Sequence, residues 1–269
     1  MRPTRYHRPK SLGEANELFA GAADPRYLAG GQSLLPAMKQ RLAAPSDLID
    51  LAAIPDLRGI AEVAAGIRIG GGVTHAAVAA DRLIRARLPS LASLAATIGD
   101  RAVRNRGTLG GSLAHNDPTA DYPAAMLALA AIVHTDRRNI PADDFFTGLF
   151  AAALDPGEIV VAVTLRVPRA AAYRKVRNPA SGYAMAGVFL ARHNDGAVRL
   201  AVTGAGSGGV FRLGAAEQAL TRGFAVDRLA DIAMNAGDAI ADLHGSAEYR
   251  AGLVMTLARR TLADCQAGG

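Results

Sequence analysis

The chain carries two short segments in which adjacent glycines stand among polar side chains, Ala29-Gly30-Gly31-Gln32-Ser33 and Thr108-Leu109-Gly110-Gly111-Ser112. Glycine reaches φ above zero and lets a ligand approach the main chain, so successive N–H groups can converge on an anion as a nest. Two such turns from distant parts of one domain can hold a pyrophosphate from both sides, with Gln32, Ser33, Thr108 and Ser112 adding side-chain hydrogen bonds. The second segment lies inside a polar run from Thr97 to Asp121 that ends in His115-Asn116-Asp117-Pro118 and a further aspartate. A fold that uses both segments has to bring them together.

Local patterning supplies the elements around them. Ser11-Leu12-Gly13-Glu14 matches a capping box, and Leu12, Ala15, Leu18 and Phe19 follow with helical spacing. Tyr27-Leu28-Ala29 reads as a short strand running into the first glycine pair, and residues 34–41 read as a helix, with Pro36 tolerable only in the first turn. Asp47 to Leu51 alternates as a strand, and Ile60–Val63 pairs with Ile67–Ile69 as a hairpin closed by Gly70-Gly71-Gly72. Thr74 is expected to cap a helix running to about Arg87, Pro89 to start another reaching about Ala96, and Pro118 to open one containing Met126, Leu127 and Leu129. Ile132 to Thr135 and Glu158 to Val167 read as strands. Tyr183–Arg192 and Val198–Thr203 are strand-like and joined by Asn194-Asp195-Gly196, a strong hairpin signal. Helices at about Gly214–Thr221, Val226–Ala241 and Ala247–Asp264 close the chain.

Several features compete for a functional role. Gly204-Ala205-Gly206-Ser207-Gly208-Gly209 is the only G-x-G-x-x-G match, with Asp227 at roughly the acidic spacing of a dinucleotide fold. The strand before it arrives through a tight hairpin, however, and no clear strand follows its helix, so a loop between sheet and helix is the favoured reading. No phosphate-loop motif of the G-x-x-x-x-G-K-[ST] form occurs. Asp143-Asp144 could act as an acid–base pair, but the position before Phe145-Phe146 favours a helix N-terminus, where carboxylates meet free amides. His115 could be a base. With His7, His75, His134, His193 and His244 it forms no ligand spacing, and structural roles are favoured for all six. Asp117 and Asp121 suit a ribose or ribityl hydroxyl, or a helix cap beside Pro118.

Composition narrows the classes. Half of the 269 residues are hydrophobic and a fifth are charged, which predicts a folded chain of one large or two medium domains. No apolar run approaches the ~20 residues that span a bilayer, and MRPTRYHRPK has no apolar stretch behind its charges, so the expectation is a cytoplasmic protein. The formal charge of +6 comes from arginines spread through the chain rather than clustered, which disfavours specific nucleic-acid binding. One cysteine, Cys265, cannot form a disulfide within the chain, a cluster of four thiolates or a structural zinc site, so no metal site is assigned.

Residues 29–41, AGGQSLLPAMKQR, and the stretch from Ile98 to Asp121 resemble the two flavin-binding stretches of the FAD-binding medium subunit of molybdenum hydroxylases, the carbon monoxide dehydrogenase and xanthine dehydrogenase family. Pro45 to Leu51, Gly71-Gly72-Val73-Thr74-His75, Asp144 to Gly148, Pro156 to Val160, Glu248-Tyr249-Arg250 and Ala258 to Leu262 also match, so the resemblance covers nearly the whole chain. It implies an α+β fold: a vanillyl-alcohol-oxidase-type FAD-binding domain of two subdomains over residues 1–168, then a smaller α+β domain with an antiparallel sheet and helices over 169–269. Carried onto this sequence, Ala29, Gly30, Gly31, Gln32 and Ser33 with Thr108, Leu109, Gly110, Gly111 and Ser112 would bind the FAD pyrophosphate. Asp121 would hold the ribityl chain, Tyr183 would lie by the isoalloxazine, and Lys175 is a further flavin contact. This chain has Gly182 where the family has an acid before the tyrosine, and its Gly204–Gly209 loop replaces a proline-containing turn.

The resemblance implies an oxidoreductase subunit. FAD would pass electrons from [2Fe-2S] clusters on a small partner subunit, fed by molybdopterin on a large one, to an external acceptor. No acid, base or nucleophile of this chain is then required, because the flavin carries the redox chemistry. The altered Gly182 and Gly204–Gly209 positions leave a second reading, a stand-alone nucleotide-binding or regulatory protein that keeps the fold.

Overall fold

A computed structural model describes residues 3–267. The first layer is built from β1 (Arg5–His7), α1 (Leu12–Ala20), β2 (Pro25–Leu28), α2 (Leu34–Lys39) and β3 (Asp47–Asp50), with β3 central and parallel to both neighbours. The Ser11 hydroxyl accepts the Glu14 N–H, as the capping box predicts, while Glu14 reaches back one residue further, to the Lys10 N–H. Ala15, Ile49, Ile54 and Leu57 form a small core that closes on Ile159 and Val161.

The second layer is a five-stranded antiparallel sheet in the order β4-β5-β10-β6-β7. It is assembled from β4 (Ile60–Val63), β5 (Gly66–Gly70), then the helices α3 (His75–Ala80), α4 (Arg82–Arg87), α5 (Pro89–Ala96), α6 (Arg101–Arg106), α7 (Leu109–His115) and α8 (Tyr122–Ala128). These precede β6 (Ile132–Thr135), β7 (Asn139–Pro141), α9 (Ala142–Phe145), the small hairpin β8 (Phe146–Gly148) and β9 (Ala151–Ala152), and β10 (Val160–Leu165). Three expectations change here. The helix after Thr74 breaks at Asp81, whose extended backbone ends α3 and whose carboxylate accepts the Ile84 N–H to start α4. Pro118 opens no helix. The chain turns first, with Asp117 accepting from Thr119, and α8 begins at Tyr122 with Pro123 in its first turn. The second glycine pair lies within α7, helical rather than in a loop.

The third layer is a four-stranded antiparallel sheet of β11 (Ala170–Arg177), β12 (Ala184–Arg192), β13 (Val198–Thr203) and β14 (Phe211–Arg212), followed by α10 (Gly214–Arg222) and α11 (Ala247–Ala267). β12 is buried on both faces. Phe189 and Ala191 join the core of the second layer, while Val188 and Leu190 pack with Leu220, Val254 and Leu262 on the other side. Each of the larger of these side chains contributes roughly 1.5–3 kcal/mol on burial.

The predicted helix at Val226–Ala241 is absent, replaced by single turns at Val226–Leu229 and Ala236–Asp238. The segment instead lies along the loop after β13: Ser207 donates to the Asp238 carbonyl and Ile240 to that of Ala205. Non-local backbone pairing therefore wins over helical periodicity. Arg250 secures the same corner, its buried guanidinium donating to the carbonyls of Met185 and Gly204 and to Asp242. The Gly204–Gly209 run joins antiparallel β13 to β14, so it is not a Rossmann turn and lies between two strands. Asp143 lies in the first turn of α9, as expected, but its carboxylate is held by Arg199 and Arg212 rather than by free amides. Among the described residues, no helix is long and apolar enough to cross a membrane.

Candidate functional site

A cavity of about 1420 Å³ runs between the layers. Its size exceeds the ~300–1,000 Å³ typical of small-ligand sites and suits an extended dinucleotide. Of the thirteen site residues read from the sequence, twelve line it; Leu109 alone does not. Leu109 is fully buried in the core of the second layer, where its side chain anchors α7.

The two glycine segments touch. A Cβ on Gly30 would overlap the Arg106 carbonyl oxygen and stand 2.6 Å from the Gly107 Cα, and one on Gly111 would meet the Ala29 Cβ at 3.4 Å. Gly110 lies equally close to Gly71, donating to its carbonyl at 2.8 Å. The missing side chains thus let three backbone segments stack at the cavity wall.

Their polar groups are used differently. Gly31 has φ +73°, and among the described residues no protein group accepts the backbone N–H of Gly30, Gly31, Gln32 or Ser33. This segment lines the cavity with amides that no described protein group takes up. The second is not a nest: Leu109 and Gly110 donate to Val73 and Gly71, Gly111 to the Thr108 hydroxyl and Ser112 to the Thr108 carbonyl. What it presents is the hydroxyls of Thr108 and Ser112 and the bare surface of Gly111. The difference arises because Thr108 caps α7, and helix geometry consumes these amides.

Asp121 and Lys175 both line the cavity and form a buried ion pair of 2.8 Å, their side chains 6% and 4% exposed. Asp121 stands at the start of α8 yet caps no amide with its side chain. Its carboxylate turns instead to Lys175 and to the Tyr173 hydroxyl, both on β11. Tyr183, 55% exposed, stands at the rim after Gly182, whose φ of +73° favours glycine at that position. Burial and the nearby Asp117 push its phenol above the ordinary range. His115 also lines the cavity, with its ring 5.3 Å from that of Phe150.

A sequence profile described as the FAD binding domain in molybdopterin dehydrogenase matches residues 2–170. The chain belongs to this family. The nicotine 6-hydroxylase medium subunit of Paenarthrobacter nicotinovorans is 38% identical over 278 residues, covering 98% of this chain and 97% of that one. The carbon monoxide dehydrogenase medium chain of Hydrogenophaga pseudoflava is 37% identical over 274 residues, covering 96% and 95%. Among solved structures, carbon monoxide dehydrogenase from Hydrogenophaga pseudoflava lacking the Mo-pyranopterin moiety aligns with a TM-score of 0.87 at 34% identity, over 98% of both chains. Reconstituted CO dehydrogenase from Oligotropha carboxidovorans aligns with a TM-score of 0.89 at 31% identity, over the full length of both.

As a member of the FAD-binding family of molybdopterin dehydrogenases, the chain is an oxidoreductase component, in agreement with the resemblance carried by its two glycine segments. Sequence reasoning missed two contributors to the site. Tyr173 shares a face of β11 with Lys175, two residues on, and that alternation was available as a signal. His75 lies beneath Gly107, its Nδ1 lacking a partner among the described residues, and burial lowers its pKa to about 4, so at neutral pH it is an uncharged part of the cavity floor. The sequence marks it only as the last residue of the Gly71–His75 stretch of the resemblance.

Proposed function

We propose that this chain is the electron-transferring flavoprotein subunit of a hetero-oligomeric molybdenum hydroxylase. The observation that carries this reading is one cavity joining an open row of backbone donors at Gly30–Ser33 to the buried Asp121–Lys175 pair. Convergent amides suit a pyrophosphate, and an ionised carboxylate suits the hydroxyls of a ribityl chain. The hydroxyls of Ser33, Thr108 and Ser112 and the amide of Gln32 add donors, while Ala29, Gly110 and Gly111 keep the wall low enough for close approach. Tyr183 offers an aromatic face at the rim for the isoalloxazine, and Lys175 a fixed positive charge. Bound there, FAD supplies the redox chemistry that links [2Fe-2S] clusters of a small partner subunit to an external acceptor, with molybdopterin on a large subunit oxidising substrate.

In this reading the protein binds and orients the flavin and moves no proton of its own. The family to which the chain belongs, and relatives named as medium chains, support the division of labour. So does Cys265, buried and with its thiol pushed up to about 12, far from a thiolate ligand. Residues 1–168 would form the FAD-binding domain and 169–269 the C-terminal one, supported by the end of the profile match at 170 and the start of β11 at Ala170. The cytoplasmic setting is part of the same proposal.

The purified chain is expected to take up FAD and show oxidised-flavin absorption. Co-expressed with the iron–sulfur and molybdopterin chains of its own organism, it is expected to co-purify with both, and its flavin to bleach once the clusters are reduced. A colourless chain that binds neither added FAD nor these partners overturns the proposal.

A further inference from the structure

Tyr122 lies in the core of the second layer and Tyr173 packs against that core. Both phenols are buried, but among the described residues the Tyr122 hydroxyl has no hydrogen-bond partner, while that of Tyr173 donates to Asp121. The sheet is shaped for this second contact. On β12, Gly187 pairs with Lys175, and a Cβ there would stand 2.6 Å from the Tyr173 hydroxyl oxygen and 2.9 Å from Thr203 Cγ2. The absent side chain leaves the hydroxyl its place against the carboxylate. The Tyr173 ring needs none of this to pack, since it rests near Phe189 with centroids 6.0 Å apart.

We infer that Tyr173 is a positioning residue: with Lys175 it fixes the Asp121 carboxylate so that the remaining lone pairs face the cavity as acceptors for a hydroxyl-bearing ligand chain. An ionised carboxylate has about four acceptor directions; Tyr173 donates to Oδ1, and the Lys175 ammonium, 2.8 Å from both oxygens, donates to Oδ2. Those left over can accept a hydroxyl proton but can donate nothing. Tyr173 keeps its own proton, because burial and the Asp121 charge raise its pKa well above ten. Without that donor, Lys175 alone holds the carboxylate, which is then free to rotate toward the ammonium and away from the ligand. The inference rests on the reading of this cavity as an FAD site, with Asp121 at the ribityl chain and the pyrophosphate at Gly30–Ser33.

The test is titration of the full-length chain, stripped of flavin, with FAD and separately with ADP, which carries the pyrophosphate but no ribityl chain. Tyr173→Phe keeps the ring and removes one hydrogen bond to a charged group, so FAD affinity is expected to fall about ten-fold. ADP affinity is expected to stay unchanged. Asp121→Asn is expected to weaken FAD binding at least as much, and Tyr173→Phe added to it to cost nothing further. Gly187→Ala, which crowds the hydroxyl from the opposite side, is expected to reproduce the FAD-selective loss, and it decides the matter if Tyr173→Phe does not fold. Equal loss of FAD and ADP, an unchanged FAD affinity, or additive effects with Asp121→Asn would each overturn the inference. A wild-type chain that binds no FAD overturns the functional reading instead.

Discussion

Gly30 and Gly107 meet backbone to backbone at the cavity wall, so that a Cβ on Gly30 would stand 2.6 Å from the Gly107 Cα. This contact, between a turn in the first layer and the entrance to α7 in the second, turns two weak glycine motifs into one surface. Neither residue needs a left-handed backbone, since neither has a positive φ. Close approach is the constraint.

Gly30→Ala is therefore expected to push the segments apart. Overpacking of this kind costs about 1–3 kcal/mol, and here it also displaces the Gly30–Ser33 donors, so FAD affinity should fall with stability. Gly208→Ala, in the run that matches the dinucleotide fingerprint, meets no heavy atom within 4 Å and has no positive φ. It is expected to change stability by less than about 0.5 kcal/mol and FAD binding not at all. Denaturant midpoints and flavin titration of the two variants check this, and equal behaviour would deny the contact its role.

Asn116 organises the β8–β9 hairpin. Its backbone is left-handed at φ 44°, its side-chain amide donates to the carbonyls of Gly148 and Ala151, and its own carbonyl accepts the Phe150 N–H. Phe150, itself at φ 54° and 58% exposed, is thereby held beside His115. Asn116→Ala should cost roughly 2–4 kcal/mol through the lost hydrogen bonds and the strained backbone together. Asn116→Gly removes the same bonds but tolerates the φ, so it should cost less. Hydrogen exchange of the amides in 146–152 is expected to accelerate in both, and a hairpin as protected as in the wild type would count against this account.

Stability should fall in mild acid. Burial, aided by the positive Arg104, lowers the His75 pKa from 6.5 to about 4, and burial also lowers that of His193. The unfolded chain takes up these protons more readily, so the contribution is complete above about pH 6.5 and is lost as pH falls toward 4. His75→Gln is expected to flatten the dependence of the unfolding free energy on pH across that window while leaving the share due to His193. A slope identical to that of the wild type would show that His75 titrates normally.

Much of the fold was legible from local signals. The Ser11 cap, the strand at Asp47, the hairpin Ile60–Ile69 and the helix after Gly214 depend on side chains within a few residues of one another, and they form where the patterning put them. The breaks at Asp81 and in Val226–Ala241 did not follow local periodicity. In the first a carboxylate captured the Ile84 amide, and in the second the backbone paired with the loop after β13.

By itself the sequence determined the membership in the family, most of the elements, and the two segments at which a dinucleotide would be sought, because glycine pairs, caps and apolar alternation act over short separations. Only the tertiary structure decided which amides remain open. Gly30–Ser33 keep theirs, while those of Leu109–Ser112 go to Val73, Gly71 and Thr108. It also decided that the charge of Asp121 is met by Lys175 and Tyr173, more than fifty residues further on. A hydrogen bond or buried ion pair is completed by whatever segment packs against it, and that choice is made by the whole fold.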